Sequence, residues 1–428
     1  MPRLSDPRFA ADCAITVDGK RVPARMGESI TSALLAAGRP LLARSAKYHR
    51  PRGPFCLQGS CSACLVRVDG VPNVRACETP CKDGLVVETQ NAMGGAARDL
   101  LGAIDVLTPG GIDHHHMATW SQVANRLAVS ASRKLAGLGL LPEAVEPRWA
   151  TSDERFDAVV VGSGPAGLGA AQALAAAGKQ VLLLEREGRL GGRLRCGLDL
   201  EGDPPLAWAD EVAAAVRAAG GEVATRAPAI GLWRDHEGAL VAVPARGDAK
   251  RMRLVRTPRV VLAGGTWAQP PLFEGNDLPG VHGARGLCTA LVEDGVLAAE
   301  RIAVLGAGPE AEAVARKLSG AGAQVELVGA IARAHGRGGV AAVTLEDERS
   351  LKVEAVAVAT PRQPAYELAR EAGARVVLDA ASGRYRVEAE EDGAVAPGTF
   401  AAGELTGPCS AREAAKAGRR AGEAAARG

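Results

Sequence analysis

The chain carries almost no net charge, with 51 Lys and Arg against 49 Asp and Glu. A molecule so balanced projects no long-range field to gather polyanions, so nucleic acid is not an expected partner. Apolar runs of the roughly 18 residues needed to span a bilayer are absent, and no membrane span is expected. The opening stretch MPRLSDPRFAADCA lacks the apolar core of a secretory signal, so the cytoplasm is the expected compartment. Nine cysteines, an odd number, do not make a disulfide framework. Four of them crowd between positions 56 and 77, which suits metal ligation under reducing conditions. Nucleophile, general base and paired carboxylates are all unidentifiable, so no catalytic residue is assigned. What remains is 428 residues, 47% apolar and rich in Gly, enough for two to four globular domains. The abundance of Ala, Gly and Arg is attributed to coding bias.

Residues 1–92 read as a β-grasp unit. Ala14-Ile15-Thr16-Val17 and Arg21-Val22-Pro23-Ala24 flank Asp18-Gly19, a dipeptide that tolerates positive φ and so makes a hairpin turn. A helix from about Ser29 to Ala37 stops at Gly38. Leu65 to Val68 with a turn at Asp69-Gly70 forms a second hairpin, and Gly84 to Glu88 closes the unit. Residues 93–152 read as a helical connector. From Phe156 the pattern becomes parallel α/β: strand Asp157 to Val161, a glycine turn, helix Leu168 to Ala177, strand Val181 to Glu185. The same order recurs from Ile302 to Val328. The expected fold is therefore α/β with two Rossmann-like domains behind a ferredoxin-like one. The first occupies 153–295 and 386–428, and the second 296–385.

Gly162-Ser163-Gly164-Pro165-Ala166-Gly167 lies between strand and helix. Gly162 makes the turn, Gly164 lets backbone approach a pyrophosphate, Gly167 permits close helix packing, and Glu185 can accept ribose hydroxyls. Arg186 follows Glu185, and Gly191-Gly192-Arg193 follows the second strand, all of them candidates for the same dinucleotide. The second motif, Gly306-Ala307-Gly308-Pro309-Glu310-Ala311, is less complete. Its next strand ends Leu327-Val328-Gly329 without an acid, while Arg333 is near enough to suggest a 2′-phosphate. Gly306 and Gly308 therefore mark either an NAD(P) site or an empty domain.

Cys56-x4-Cys61-x2-Cys64-x12-Cys77 has the spacing of plant-type [2Fe-2S] ferredoxins, in which one short loop supplies three thiolates and a later segment the fourth. Gly59, Ser60, Ser62 and Ala63 are small, so backbone N–H groups can reach the sulfurs. Zinc and unrelated buried thiols are the alternatives, and Cys81 is the alternative fourth ligand. Cys13, Cys196, Cys288 and Cys409 are expected as buried small hydrophobes. Asp113-His114-His115-His116 reads as a surface patch or a metal site, though consecutive ligands diverge. Lys47-Tyr48-His49-Arg50-Pro51-Arg52-Gly53 reads as a solvated loop, or as a dock for an anionic phosphate or acidic surface.

Val260 to Thr266, with Ala263 and Gly264, resembles the strand-and-Gly segment of glutathione-reductase-like flavoproteins. Thr399 to Glu404, with Gly403 and Glu404, resembles their closing motif beside the flavin ribityl chain, where Asp is usual. The likeness implies FAD at the first glycine motif. Those enzymes carry a cysteine pair after Gly-Gly; here only Cys196 follows, so disulfide reduction is not expected. With the Lys47–Gly53 heptapeptide, Ala136-Gly137-Leu138-Gly139 and both dinucleotide domains, nearly the whole chain resembles the α subunits of heterotetrameric sarcosine oxidase and related amine, opine and imino-acid dehydrogenases. The resemblance implies an electron-handling α subunit beside a FAD-containing β subunit and small subunits, with FMN able to lie between subunits. It leaves the electron acceptor open.

Overall fold

The computed structural model describes residues 3–45, 49–92, 94–98, 120–135, 149–198, 200–245, 251–380 and 382–427. Two compact units divide the chain, Met1–Val145 with Pro270–Thr360, and Glu146–Gln269 with Pro361–Gly428.

In the first unit a five-stranded sheet runs in the order Lys20–Ala24, Cys13–Val17, Val86–Glu88, Leu65–Val68, Val71–Arg75. Both hairpins turn on Asp-Gly with positive φ at each residue: Asp18 47° and Gly19 74°, Asp69 46° and Gly70 81°. That pairing matches the right-handed twist of the flanking strands. Helix Ile30–Ala36 begins where Ser29 Oγ accepts from Ser32 N, and it ends before Gly38 at φ 66°. Its Ile30, Ala33 and Leu34 pack on Ile15, Val17, Val66 and Val87 in one buried cluster. Removing Leu34 down to Ala would destabilise by about 2–5 kcal/mol.

The same unit holds a parallel sheet ordered Val281–Gly283, Ala355–Val358, Arg301–Leu305, Gln324–Val328, with helices Ala284–Asp294 and Pro309–Gly320. Within the expected connector the described elements include the turn Ala96–Arg98 and helix Gln122–Leu135. Strand Ala150–Arg155, in the second unit, begins inside that stretch and pairs in parallel with Arg251–Thr257.

In the second unit a six-stranded sheet runs Glu222–Ala224, Val181–Leu184, Ala158–Val161, Arg259–Leu262, Thr399–Ala401, Ala394–Ala396, and only the last strand is antiparallel. Its central strands are buried on both faces, which is why they read as unbroken Val and Leu. Helix Pro165–Ala176 packs on helix Ala411–Arg427 at backbone distance. A Cβ on Gly169 would meet Ala415 O at 2.3 Å, and one on Gly418 would meet Ala166 O at 1.8 Å. The glycine and alanine attributed to coding bias thus have a packing role here. Among the described residues no helix is long and apolar enough to cross a membrane.

Candidate cofactor sites

The cysteine loop folds back on itself through left-handed backbone at Leu57 (φ 56°) and Gly59 (φ 68°). Four sulfurs meet as two pairs: Cys56 and Cys61 Sγ are 3.3 Å apart, Cys64 and Cys77 Sγ 3.4 Å. The N–H groups of Gln58, Ser60 and Cys61 donate to Cys56 Sγ at 3.3–3.4 Å, and Gly59 N donates to Cys77 Sγ at 3.3 Å. Cys56 and Cys64 are each 1% exposed. Hydrogen bonds from neighbouring sulfurs hold the Cys56 and Cys64 thiols below the usual range, while the same contacts raise Cys61 and Cys77. A buried group of sulfurs competing for protons is ready to exchange them for metal. The two-and-two arrangement suits a two-iron cluster.

Cys81 stands apart chemically. It is 2% exposed, and its pKa is pushed up to about 12 by burial, then by Glu28, Cys13 and Asp294, with Arg3 opposing. Cys196 and Cys288 are fully buried as expected, whereas Cys13 and Cys409 are only half-buried because they lie at the edges of their clusters.

The first glycine motif sits at the carboxyl ends of the parallel strands in the second unit. Gly162 has φ 100°, and a Cβ there would meet Ala263 O at 2.4 Å; at Gly167 it would meet Gly162 O at 1.7 Å. Gly164 has nothing within 4 Å of where a Cβ would stand, so the approach to its backbone is open. Pro165 and Ala166 open the helix, whose N-terminal N–H groups face that space. Glu185 Oε2 accepts from Ser163 N at 3.1 Å and Ser163 Oγ at 2.6 Å, which anchors the carboxylate beside the turn. Gly192 lies against Gly164, where a Cβ would meet the Gly164 Cα at 2.8 Å. Gly403, at φ 78°, lies against Ala166 in the same way.

Charged side chains ring this space. Arg193 Nη1 donates to Glu404 Oε1 at 3.3 Å and to Cys409 O at 3.0 Å. Glu404 Oε2 accepts from Thr266 Oγ1 at 3.2 Å, and Arg362 donates to Thr266 Oγ1 and O, each at 2.9 Å. Arg186 lies over the Trp267 ring at 4.8 Å. The structure thus gathers Gly162 to Gly167, Glu185, Arg186, Gly192, Arg193, Ala263, Gly264, Gly403 and Glu404. Thr266, Trp267 and Arg362 join them without a motif to announce them. The open glycine cradle, the helix N-terminus and the anchored acid fit a dinucleotide.

The second motif shows a comparable turn: Gly306 (φ 151°) would meet Ala359 O at 2.7 Å through a Cβ, and Gly308 (φ 81°) is open. Arg333, the candidate for a 2′-phosphate, pairs with Glu274 at 3.1 Å on the surface. Arg285 makes a two-pronged contact with Glu310, at 2.8 and 2.7 Å, in the first turn of helix Pro309–Gly320. Of the basic heptapeptide, Arg52 pairs with Asp277 at 3.1 Å and Arg50 with the same carboxylate at 3.9 Å. Lys47, Tyr48, Asp113 to His116 and Ala136 to Gly139 lie outside the described residues.

Two family models match: a 2Fe-2S iron-sulfur cluster binding domain over residues 10–92, and a pyridine nucleotide-disulphide oxidoreductase over 156–337. The sarcosine oxidase subunit alpha of Rhizobium meliloti is 30% identical over 338 residues, covering 74% of this chain and 34% of that protein. Hydrogen cyanide synthase subunit HcnA of Pseudomonas aeruginosa is 40% identical over 85 residues, 20% of this chain and 81% of that one. The chain spans about a third of the length of the sarcosine oxidase relatives it matches. In fold it resembles L-proline dehydrogenase from P. horikoshii, with TM-score 0.77 and 24% identity over 98% of this chain and 74% of that one. The cofactors are FAD and a [2Fe-2S] cluster, and the protein is an oxidoreductase. An iron–sulfur module followed by a two-dinucleotide-fold flavoprotein stands in one chain, and over the matched residues the chain is similar to the α subunits of sarcosine oxidase.

Proposed function

We propose that the chain is the electron-transferring α-type subunit of a heteromeric amine, imino-acid or amino-acid dehydrogenase, working in the cytoplasm beside a FAD-containing β subunit and small subunits. The observation that carries this reading is the presence of both redox sites in a chain similar to sarcosine oxidase and opine oxidase subunits. FAD supplies a two-electron carrier and the cluster a one-electron carrier, so together they can split a two-electron oxidation into single steps.

The residues of this chain bind and orient. Cys56, Cys61, Cys64 and Cys77 are the proposed cluster ligands, their sulfurs held by the loop N–H groups. Gly162 to Gly167 would hold the pyrophosphate of FAD at the helix N-terminus, and Glu185, whose oxygens Ser163 and Glu187 N orient, would accept from ribose hydroxyls. Arg186, Gly192, Arg193, Ala263, Gly264, Gly403 and Glu404 would border the rest of the flavin, and the Arg193–Glu404 pair would fix charge beside it. FMN between subunits and NAD(P) at Gly306 and Gly308 belong to the same reading as additional cofactors.

Stopped-flow reduction tests it. The isolated chain should oxidise no amine, and addition of the β subunit should create amine- or imino-acid-dependent reduction of an artificial acceptor. A Cys61→Ser complex should keep rapid flavin bleaching by substrate yet turn over slowly. Rapid bleaching of the isolated chain by NADH or NADPH would replace this reading with a free-standing reductase.

A further inference from the structure

The turn between strand Val281–Gly283 and helix Ala284–Asp294, which the structure places in the parallel sheet of the second glycine motif and not in the first dinucleotide domain expected for residues up to 295, grips the cluster loop of the same unit at consecutive residues. Pro54 O accepts from His282 Nδ1 at 2.6 Å, and Phe55 O accepts from Gly283 N at 2.8 Å. Cys56 O lies so near Gly286 that a Cβ there would stand 2.2 Å from it and 2.7 Å from Leu57 Cβ. His282 is 1% exposed, and burial lowers its pKa to about 4, so the ring is neutral. A carbonyl only accepts, which places the ring proton on Nδ1.

The gripping element is itself tied down at both ends. Arg285 holds Glu310 by two contacts, and at the far end of helix Ala284–Asp294 the Asp294 carboxylate accepts from Ser32 Oγ at 2.6 Å and pairs with Arg25. The loop it holds is the one that needs holding. Leu57 is a non-glycine residue in the left-handed region, and three loop N–H groups converge on Cys56 Sγ. Such N–H···S bonds stabilise the more negative, reduced cluster and raise its potential. If the carbonyls of residues 54–56 were released, the loop could relax and those donors would drift from the sulfur.

We propose that His282, Gly283 and Gly286 form a clamp that positions the cluster loop and keeps the cluster's reduction potential high, giving the second dinucleotide fold a task that is independent of nicotinamide. His282 and Gly286 are positioning residues here. The inference rests on the assignment of the cluster to the four cysteines.

The test uses the full chain purified anaerobically, with iron and sulfide assays followed by an EPR-monitored redox titration. The parent, His282→Phe, His282→Asn and Gly286→Ala are compared at the parent's midpoint potential. His282→Phe and Gly286→Ala should retain iron yet hold at least tenfold less reduced cluster relative to oxidised, about 59 mV for a one-electron couple. His282→Asn, whose amide N–H can stand in for Nδ1–H, should return most of the loss. Parent-like potentials in both His282→Phe and Gly286→Ala would overturn the clamp, as would an Asn variant shifted as far as the Phe variant. Should His282→Phe fail to hold iron, Gly286→Ala decides by the same criterion. A parent without labile sulfide would overturn the cluster assignment, and the clamp with it, before any variant is compared.

Discussion

Five cysteines lie close together between positions 56 and 81, and their surroundings separate them. Cys81 faces Glu28, Asp294 and a packed core that favours the neutral thiol, whereas Cys56 and Cys77 receive N–H donors from the loop. Ser at position 56, 61, 64 or 77 is expected to remove the absorption and the roughly two irons of the cluster, while Cys81→Ser keeps both; iron assay and visible spectra check this. The two glycine turns separate in the same way. Gly164 is open to solvent, so Gly164→Val puts its bulk where the pyrophosphate would lie and should release FAD, identified by mass analysis after denaturation. Gly308→Val should leave FAD bound. His282 adds a pH effect. Its folded pKa of about 4 lies below the unfolded value near 6.5, so between these the unfolded chain binds the extra proton. Stability is therefore lost as pH falls through that window, and melting temperatures of His282→Asn should fall less steeply there than those of the parent.

Elements differ in how far their making is local. The Asp-Gly hairpins, the Ser29 cap and the strand–turn–helix around Gly162 are readable in the sequence because the few residues that decide them are neighbours. Cysteine spacing is readable for the same reason. The clamp at 282–286 and the Thr266–Arg362–Glu404 network are not, since each joins segments roughly a hundred or more positions apart through backbone carbonyls or single side chains. The bare abundance of Gly and Ala also conceals its use: Gly418 matters because Ala166 O would be 1.8 Å from its Cβ. Gly418→Ala should force helix Ala411–Arg427 away from Pro165–Ala176 and destabilise this unit by about 1–3 kcal/mol, as for an overpacked core. Differential scanning of the FAD-loaded protein would register the drop, and an unchanged transition would show that the helices separate freely.

At the scale of the whole molecule, neither unit is continuous in the chain. The first needs residues 270–360 to join the opening 145, and the second waits for 361–428. Strand Thr399–Ala401 pairs with Arg259–Leu262, and helix Ala411–Arg427 covers the first glycine helix from behind. A ribosome moving along the chain therefore releases the flavin fold with its sheet edge bare and its rear face uncovered until residues 399–427 emerge. Long-range closure of this kind is slow relative to local structure. FAD should accordingly enter only once residues 399–427 have been made, and nascent chains stalled short of residue 399 should emerge without flavin however much is supplied. Apoprotein that lingers in this half-built form exposes Val and Leu strands, so starving cells of riboflavin should send the newly made chain to proteases well before it alters the amount of mature protein already assembled.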